Sequence, residues 1–363
     1  MRNEVLLDRF LKGKIDDGIQ KSERDDFFEN AFFRRGYLKK VWRVIVLCIA
    51  IFGTLSFFNE PVFAQSSFIN GTYGGKTYKL FIPSSYDGSK DYPLVVMLHG
   101  CSQNADDFAK GTRMNELGEE KGFLVLYPEQ SSFANINKCW NWFSVSNQKR
   151  GGGEPATIVG MINKVKGTYS IQNQSVFVAG LSAGGGMSVI LGATYPEQFA
   201  SIGVGAGLEY GASSSAFSAF YAMQNGGPNP NLQGKYAYEQ MGTNARVMPV
   251  IVFHGNADST VVLKNGNQVI SQWATTNDWA DDGILNGTID NQADSVVEKT
   301  KQGGKAYTQY SYTNENGQIV LEKYIVNNMK HAWSGGSPLG SYTDEEGPNA
   351  SEIMWSFFEK RLP

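Results

Sequence analysis

Five apolar runs of strand length, separated by stretches of helix length, limit what this chain can fold into. They cover residues 93–100 (PLVVMLHG), 123–130 (FLVLYPEQ), 175–180 (SVFVAG), 199–207 (FASIGVGAG) and 249–255 (PVIVFHG). A strand wetted on one side alternates polar and apolar residues, whereas a continuous apolar run fits a strand covered on both faces. Between these runs, 104–119, 156–169, 183–196 and 265–281 read as helices, and 347–361 reads as a closing helix. Strands alternating with helices imply an α/β fold with a mostly parallel sheet and helices on both faces. Residues 76–84 alternate like an edge strand, and 306–313 with 319–326 read as a late strand pair turned by Asn314-Glu315-Asn316-Gly317. The stretch 211–242 is rich in Ser, Gly, Asn and Pro and lacks strand periodicity, so it reads as a lid-like excursion over the sheet.

The first 64 residues read as addressing rather than fold. Residues 44–58 (VIVLCIAIFGTLSFF) are apolar and uncharged, but as a helix they would span only about 22 Å of a roughly 30 Å hydrocarbon core. Arg34, Arg35, Lys39, Lys40 and Arg43 precede the run, and Val62-Phe63-Ala64 follows it as a small-residue cleavage pattern. Together these make a secretory signal peptide with mature chain 65–363, the alternative being an uncleaved membrane anchor. Residues 1–33 have no functional reading. Removing residues 1–64, which carry 11 of the 32 basic and 9 of the 35 acidic residues, leaves 299 residues at net charge −5. That mild acidity speaks against nucleic acid or anionic lipid as a partner. Cys48 leaves with the signal. Cys101 and Cys139 remain, and export to an oxidising compartment favours a disulfide between them.

Chemistry concentrates at Gly180-Leu181-Ser182-Ala183-Gly184, a G-x-S-x-G pattern between a buried strand and a helix of small residues. Such a turn exposes the serine at the C-terminal edge of the sheet, with a helix N-terminus beneath the developing charge. A serine hydroxyl needs a base, and only His99, His254 and His331 are available. In this arrangement the partners follow in the order Ser, acid, His. His99 precedes the serine, and His254 precedes the best acid, so His331 is the expected base. Asp258, just past the strand 249–255, is the expected acid, with Asp278, Asp281 and Asp282 as competitors in a polar helix end. One oxyanion donor is expected from Ala183 N–H, and the other from Cys101 N–H or Ser102 N–H in the 98–103 loop. The aromatic group Trp140, Trp142 and Phe143 reads equally as a cleft wall or as core. Trp333, beside His331, reads the same way.

At these motifs the chain resembles the poly(3-hydroxyalkanoate) depolymerase-like esterases, a group that includes feruloyl and acetylxylan esterases. The resemblance is carried by 98–130, by NKCWNWF (137–143), by AGLSAGGGMS (179–188), by VIVFHGNADSTV (250–261) and by MKHAWSGG (329–336). It spans about residues 68–363. It implies an α/β-hydrolase fold in one catalytic domain and a Ser182–Asp258–His331 triad. It further implies oxyanion N–H groups from Cys101 and Ala183, and a Cys101–Cys139 disulfide. Family members often carry a second cysteine pair after the strand 199–207. Here that stretch reads Glu209-Tyr210-Gly211-Ala212 and later Ala222-Met223.

The resemblance implies a secreted serine esterase acting through an acyl-enzyme, most naturally on poly- or oligo(3-hydroxybutyrate)-type polyesters. Feruloyl or acetylxylan esterase action is the alternative, with Trp140, Trp142 and Trp333 stacking on aryl or sugar faces. No polymer-binding domain is read after the closing helix, so avid attack on crystalline polymer is not expected, and soluble oligomers, amorphous polymer and plant-wall esters stay open as substrates. A non-catalytic surface-binding protein on the same scaffold would be expected to have lost a triad member, and all three are present. A peptidase is chemically possible but lacks an appended domain to select peptides. No metal cluster or nucleotide loop stands out, so no cofactor is expected.

Overall fold

The computed structural model describes residues 65–363. The signal-peptide reading of residues 1–64 therefore lies outside the described residues. A ten-stranded sheet organises the rest, built from β1 (Ser67–Tyr73), β2 (Lys76–Ile82), β3 (Tyr92–Leu98), β4 (Leu124–Pro128), β5 (Ile171–Leu181), β6 (Ser201–Gly205), β7 (Val250–Gly255), β8 (Ser295–Thr300), β9 (Ala306–Thr313) and β10 (Ile319–Val326). Its spatial order is β1-β2-β4-β3-β5-β6-β7-β10-β9-β8. The stretch from β4 to β10 is parallel throughout, and antiparallel strands close both edges. Each of the five apolar runs forms a central strand. Along β3 the side chains alternate between two layers: Leu94, Val96 and Leu98 pack on one face, and Val95 and Met97 on the other.

Helices cover both faces. They are α1 (Ala105–Thr112), α2 (Met114–Lys121), α3 (Gly153–Lys166), α4 (Ala183–Thr194), α5 (Ala216–Asn225), α6 (Pro230–Met241), α7 (Leu263–Asp282) and α8 (Ala350–Glu359). Residues of α1, α2 and α8 join the layer of Val95 and Met97, and those of α3, α4 and α7 join the opposite layer. One domain accounts for the whole described chain.

Three sequence expectations change. Residues 76–84 do not form the edge strand, because β1 pairs outside β2 in register from Ser67–Ile82 to Tyr73–Lys76. The expected helix at 104–119 is two helices, broken where Arg113 turns left-handed at φ 55°. The excursion 211–242 is not irregular. It holds α5 and α6, capped by Ser215 and Asn229, whose side chains accept N–H groups of the first turn. In α5 the large apolar residues Phe217, Phe220 and Tyr221 are exposed and only Ala219 and Ala222 are buried, and α6 is mostly polar, so neither helix shows the usual buried apolar stripe.

Candidate active site

Ser182 sits between the end of β5 and the start of α4 with φ 58° and ψ −117°. A non-glycine residue here is strained, and such strain is held only where the surroundings over-determine it. The surroundings do so. Ser182 N–H donates to Gly205 O at 2.8 Å, and Ser182 O accepts from Gly186 N–H at 3.0 Å. Glycines permit the turn: a Cβ on Gly184 would stand 2.0 Å from Leu98 O, and one on Gly180 2.4 Å from the Gly184 carbonyl carbon. Strand, turn and helix can therefore cross only where both flanking residues lack side chains.

Strand order brings Asp258 and His331 together. β7 and β10 are parallel neighbours, with Gly255 opposite Val326, so the loops leaving their C-terminal ends lie side by side. Ala257 N–H donates to Met329 O at 3.1 Å and ties the two loops. Asp258 Oδ2 accepts from His331 Nδ1 at 2.7 Å. Its Oδ1 accepts Thr260 N–H at 2.8 Å and Val261 N–H at 2.9 Å. Burial alone would push the Asp258 carboxyl upward. The His331 hydrogen bond and charge, with the Val261 N–H, more than offset that and hold it below its usual value. His254 is fully buried and held below its ordinary value by that burial. Its Nε2 lies 2.7 Å from Val261 O and 3.6 Å from Asp258 Oδ2. It braces the acid turn from behind.

Ser182, His331, Gly100, Cys101 and Ser102 line one cavity of about 500 Å³. Asp278, by contrast, caps the 286–289 turn far from it in the chain, accepting Ile289 N–H and Thr288 Oγ1–H. Cys101 is bonded to Cys139 in a disulfide, so the loop after β3 is stapled to the 137–143 stretch as expected. Ser102 N–H is spent on Asn137 O at 2.7 Å, whereas no hydrogen bond among the described residues takes Cys101 N–H. Ala183 N–H opens α4, where the first N–H groups lack an intrahelical acceptor.

The three tryptophans separate. Trp142 lines the cavity beside Phe143. Trp140 and Trp333 do not reach it, which corrects the expectation that they touch substrate. Trp140 is wholly buried under the loop, its ring 5.6 Å from that of His99. Trp333 packs edge-on against Phe108 and donates Nε1–H to Ser351 Oγ. Both rings are buried in the core, the Trp333 N–H paired and the Trp140 N–H without a hydrogen-bond partner among the described residues. The lining also includes residues that sequence reasoning did not single out, among them Ile136, Ala216, Ala219, Phe220, Met223 and Tyr342. Four of these lie at i, i+3, i+4 and i+7 on α5, a signal that became readable only once 216–225 is known to be helical.

The family described as "Esterase PHB depolymerase" matches residues 76–294. The chain belongs to the PHB depolymerase esterase family. It is 34% identical over 241 residues to poly(3-hydroxyalkanoate) depolymerase C of Paucimonas lemoignei, covering 66% of this chain and 54% of that protein. It is 32% identical over 192 residues to acetylxylan esterase A of Talaromyces purpureogenus, covering 50% of this chain and 49% of that protein. The chain thus spans about half the length of these curated relatives. Among solved structures, an acetyl xylan esterase from Aspergillus awamori superposes with a TM-score of 0.62 at 19% identity, over 80% of this chain and 98% of that one. The fold is that of the α/β-hydrolase esterases. Residues 209–212 and 222–223 of this family member carry no cysteine, and the Glu209 carboxyl is buried there without a hydrogen-bond partner. Among the described residues no helix is long and apolar enough to cross a membrane.

Proposed function

We propose that this chain is a secreted serine esterase that cleaves carboxylic esters of the oligo- and poly(3-hydroxybutyrate) type. The observation that carries the reading is the 2.7 Å hydrogen bond from His331 Nδ1 to Asp258 Oδ2 at a cavity that Ser182 and His331 share. With Nδ1–H committed to Asp258, Nε2 is the basic nitrogen. Ser182 Oγ attacks the ester carbonyl, and His331 Nε2 takes its proton. The oxyanion accepts from Cys101 N–H and Ala183 N–H. His331 then returns the proton to the leaving alcohol, and water, deprotonated by the same nitrogen, hydrolyses the acyl-enzyme and frees Ser182. Asp258 stays ionised and holds the imidazolium.

The apolar character of the mouth favours the polyester class. Ile136 and Phe220 both line the cavity and stand exposed, and Phe133 and Phe217, three residues before them in sequence, are exposed as well. Apolar side chains in that number at a mouth mark a binding surface rather than chance. Trp142, Phe143 and Tyr342 favour the second reading, since their rings could stack on a feruloyl or xylosyl group. Residues 1–64 would serve as the export signal, with 65–363 as the catalytic domain. A panel of 3-hydroxybutyrate oligomers, methyl ferulate and acetylated xylan, run on wild type and Ser182→Ala, tests the assignment. The expected result is a preference for the oligomers that disappears in Ser182→Ala. Preference for ferulate or acetylxylan would move the substrate class, and retained turnover in Ser182→Ala would remove the mechanism.

A further inference from the structure

His99 precedes the serine in the chain, and the cavity does not include it. It nevertheless occupies an unusual place. It follows β3 directly, is 1% exposed, and makes two hydrogen bonds with its ring. Gln130 N–H reaches Nε2 at 3.0 Å, and Nδ1 lies 2.7 Å from Gly100 O. A backbone N–H can only donate, so Nε2 is the accepting nitrogen. A carbonyl oxygen can only accept, so Nδ1 carries the proton. The partners thus fix both the tautomer and the ring orientation.

Gly100 O and Cys101 N–H are the two ends of one planar peptide unit. Whatever holds the carbonyl also aims the N–H. Flipping that peptide would turn the Cys101 N–H away and point a carbonyl oxygen at the site of developing negative charge. Gly100 brings this unit close to the nucleophile, since a Cβ added there would stand 3.5 Å from Ser182 Cβ. The preceding peptide is fixed by Gly100 N–H donating to Gln103 Oε1 at 2.8 Å. Cys101 itself is anchored through its sulfur to Cys139.

We propose that His99, as the neutral Nδ1–H tautomer, is a positioning residue that locks the Gly100–Cys101 peptide with its N–H facing the reacting carbonyl. The inference rests on the reading of Cys101 N–H as an oxyanion donor. Burial lowers the ring's proton affinity, in keeping with an Nε2 that accepts the Gln130 N–H.

Two substitutions divide the ring's contacts. In His99→Asn the side-chain amide nitrogen takes the place of Nδ1 and keeps the donor to Gly100 O. In His99→Gln the polar end reaches the place of Nε2, keeping the Gln130 contact and losing the donor. With a soluble p-nitrophenyl ester, H99Q is expected to lose about 10²–10³-fold in kcat with KM little changed, the signature of a lost oxyanion donor. H99N is expected to retain most of the wild-type kcat. The pH profile of kcat/KM is expected to be the same in all three proteins, since His331 remains the titrating base. Wild-type kcat in H99Q, equal losses in H99N and H99Q, or losses that follow the melting temperatures would overturn the proposal. A measurement on the unmodified protein stands beside these. The 15N chemical shifts of the His99 ring are expected to report protonated Nδ1 and unprotonated Nε2 without titration, and an Nε2–H tautomer or a titrating ring would overturn it. Ser182→Ala separates the two levels: if it stays active the esterase mechanism fails, and if it is dead while H99Q is fully active only the positioning role fails.

Discussion

Replacing Glu209 with Gln should stabilise this protein, and by an amount that depends on pH. Glu209 is 3% exposed, and neither carboxyl oxygen has a hydrogen-bond partner among the described residues. Burial with no compensating cation pushes its pKa from 4.5 up to about 8. The sign follows from proton counting. Below pH 4.5 the carboxyl is protonated in the folded and unfolded chains alike, and nothing is lost. Between there and about 8 the unfolded chain releases its proton while the folded chain keeps it, so stability falls as pH rises. At about 1.4 kcal/mol per pH unit, the loss at pH 7 is about 3 kcal/mol. Above the folded pKa both states are ionised and the loss levels off. The amide of the Glu209→Gln variant would keep the shape and polarity of the neutral acid without the ionisation. For a domain of this size, at about 2.1 cal/mol/K of unfolding entropy per residue, about 3 kcal/mol corresponds to roughly 5 °C in melting temperature. Melting curves of wild type and Glu209→Gln between about pH 4.5 and about pH 8.5 should start close together and diverge. A gap that does not widen with pH, or a variant that melts lower at neutral pH, would refute the reasoning.

Other outcomes follow from the site. Reducing the Cys101–Cys139 bond, which closes a separation of 38 residues, should cost about 4 kcal/mol by loop entropy. It should also lower kcat by loosening the oxyanion loop; calorimetry and initial rates with and without reductant read both. Asp258→Asn should cut kcat by about 10⁴-fold with little change in KM, because the amide favours the wrong imidazole tautomer. Phe133→Ser with Phe217→Ser should weaken adsorption to amorphous polyester, measured by depletion from solution, while leaving turnover of soluble esters unchanged.

The sheet centre, and the residues proposed to react, stand out in the sequence for physical reasons. Strands covered on both faces must be continuously apolar, so residues 93–100 or 249–255 could be little else. The crossing of β5 and α4 leaves no room for Cβ atoms at positions 180 and 184, which stamps glycine on both sides of Ser182. With three histidines, order along the chain points to His331, the one that lines the cavity and pairs with Asp258 at 2.7 Å. What stayed hidden depends on partners distant in sequence. β8, entirely exposed, has no apolar run to announce it, and β1 is half exposed and pairs only at the rim. The proposed preference for Cys101 N–H over Ser102 N–H rests on a hydrogen bond from Ser102 N–H to Asn137 O, a partner 35 positions away that no sequence pattern announces. Trp140, Trp142 and Trp333 look alike in sequence, yet only Trp142 meets the cavity, since side-chain direction is decided by loop geometry.

The nucleophile can be tested without choosing a substrate. The intact protein is treated with a fluorophosphonate, digested, and the modified residue located by mass spectrometry. A single adduct on Ser182, formed rapidly in wild type and very slowly in His331→Ala, is the result expected of a serine activated by His331. An adduct on another residue, or ester hydrolysis that continues after Ser182 is fully modified, would contradict it.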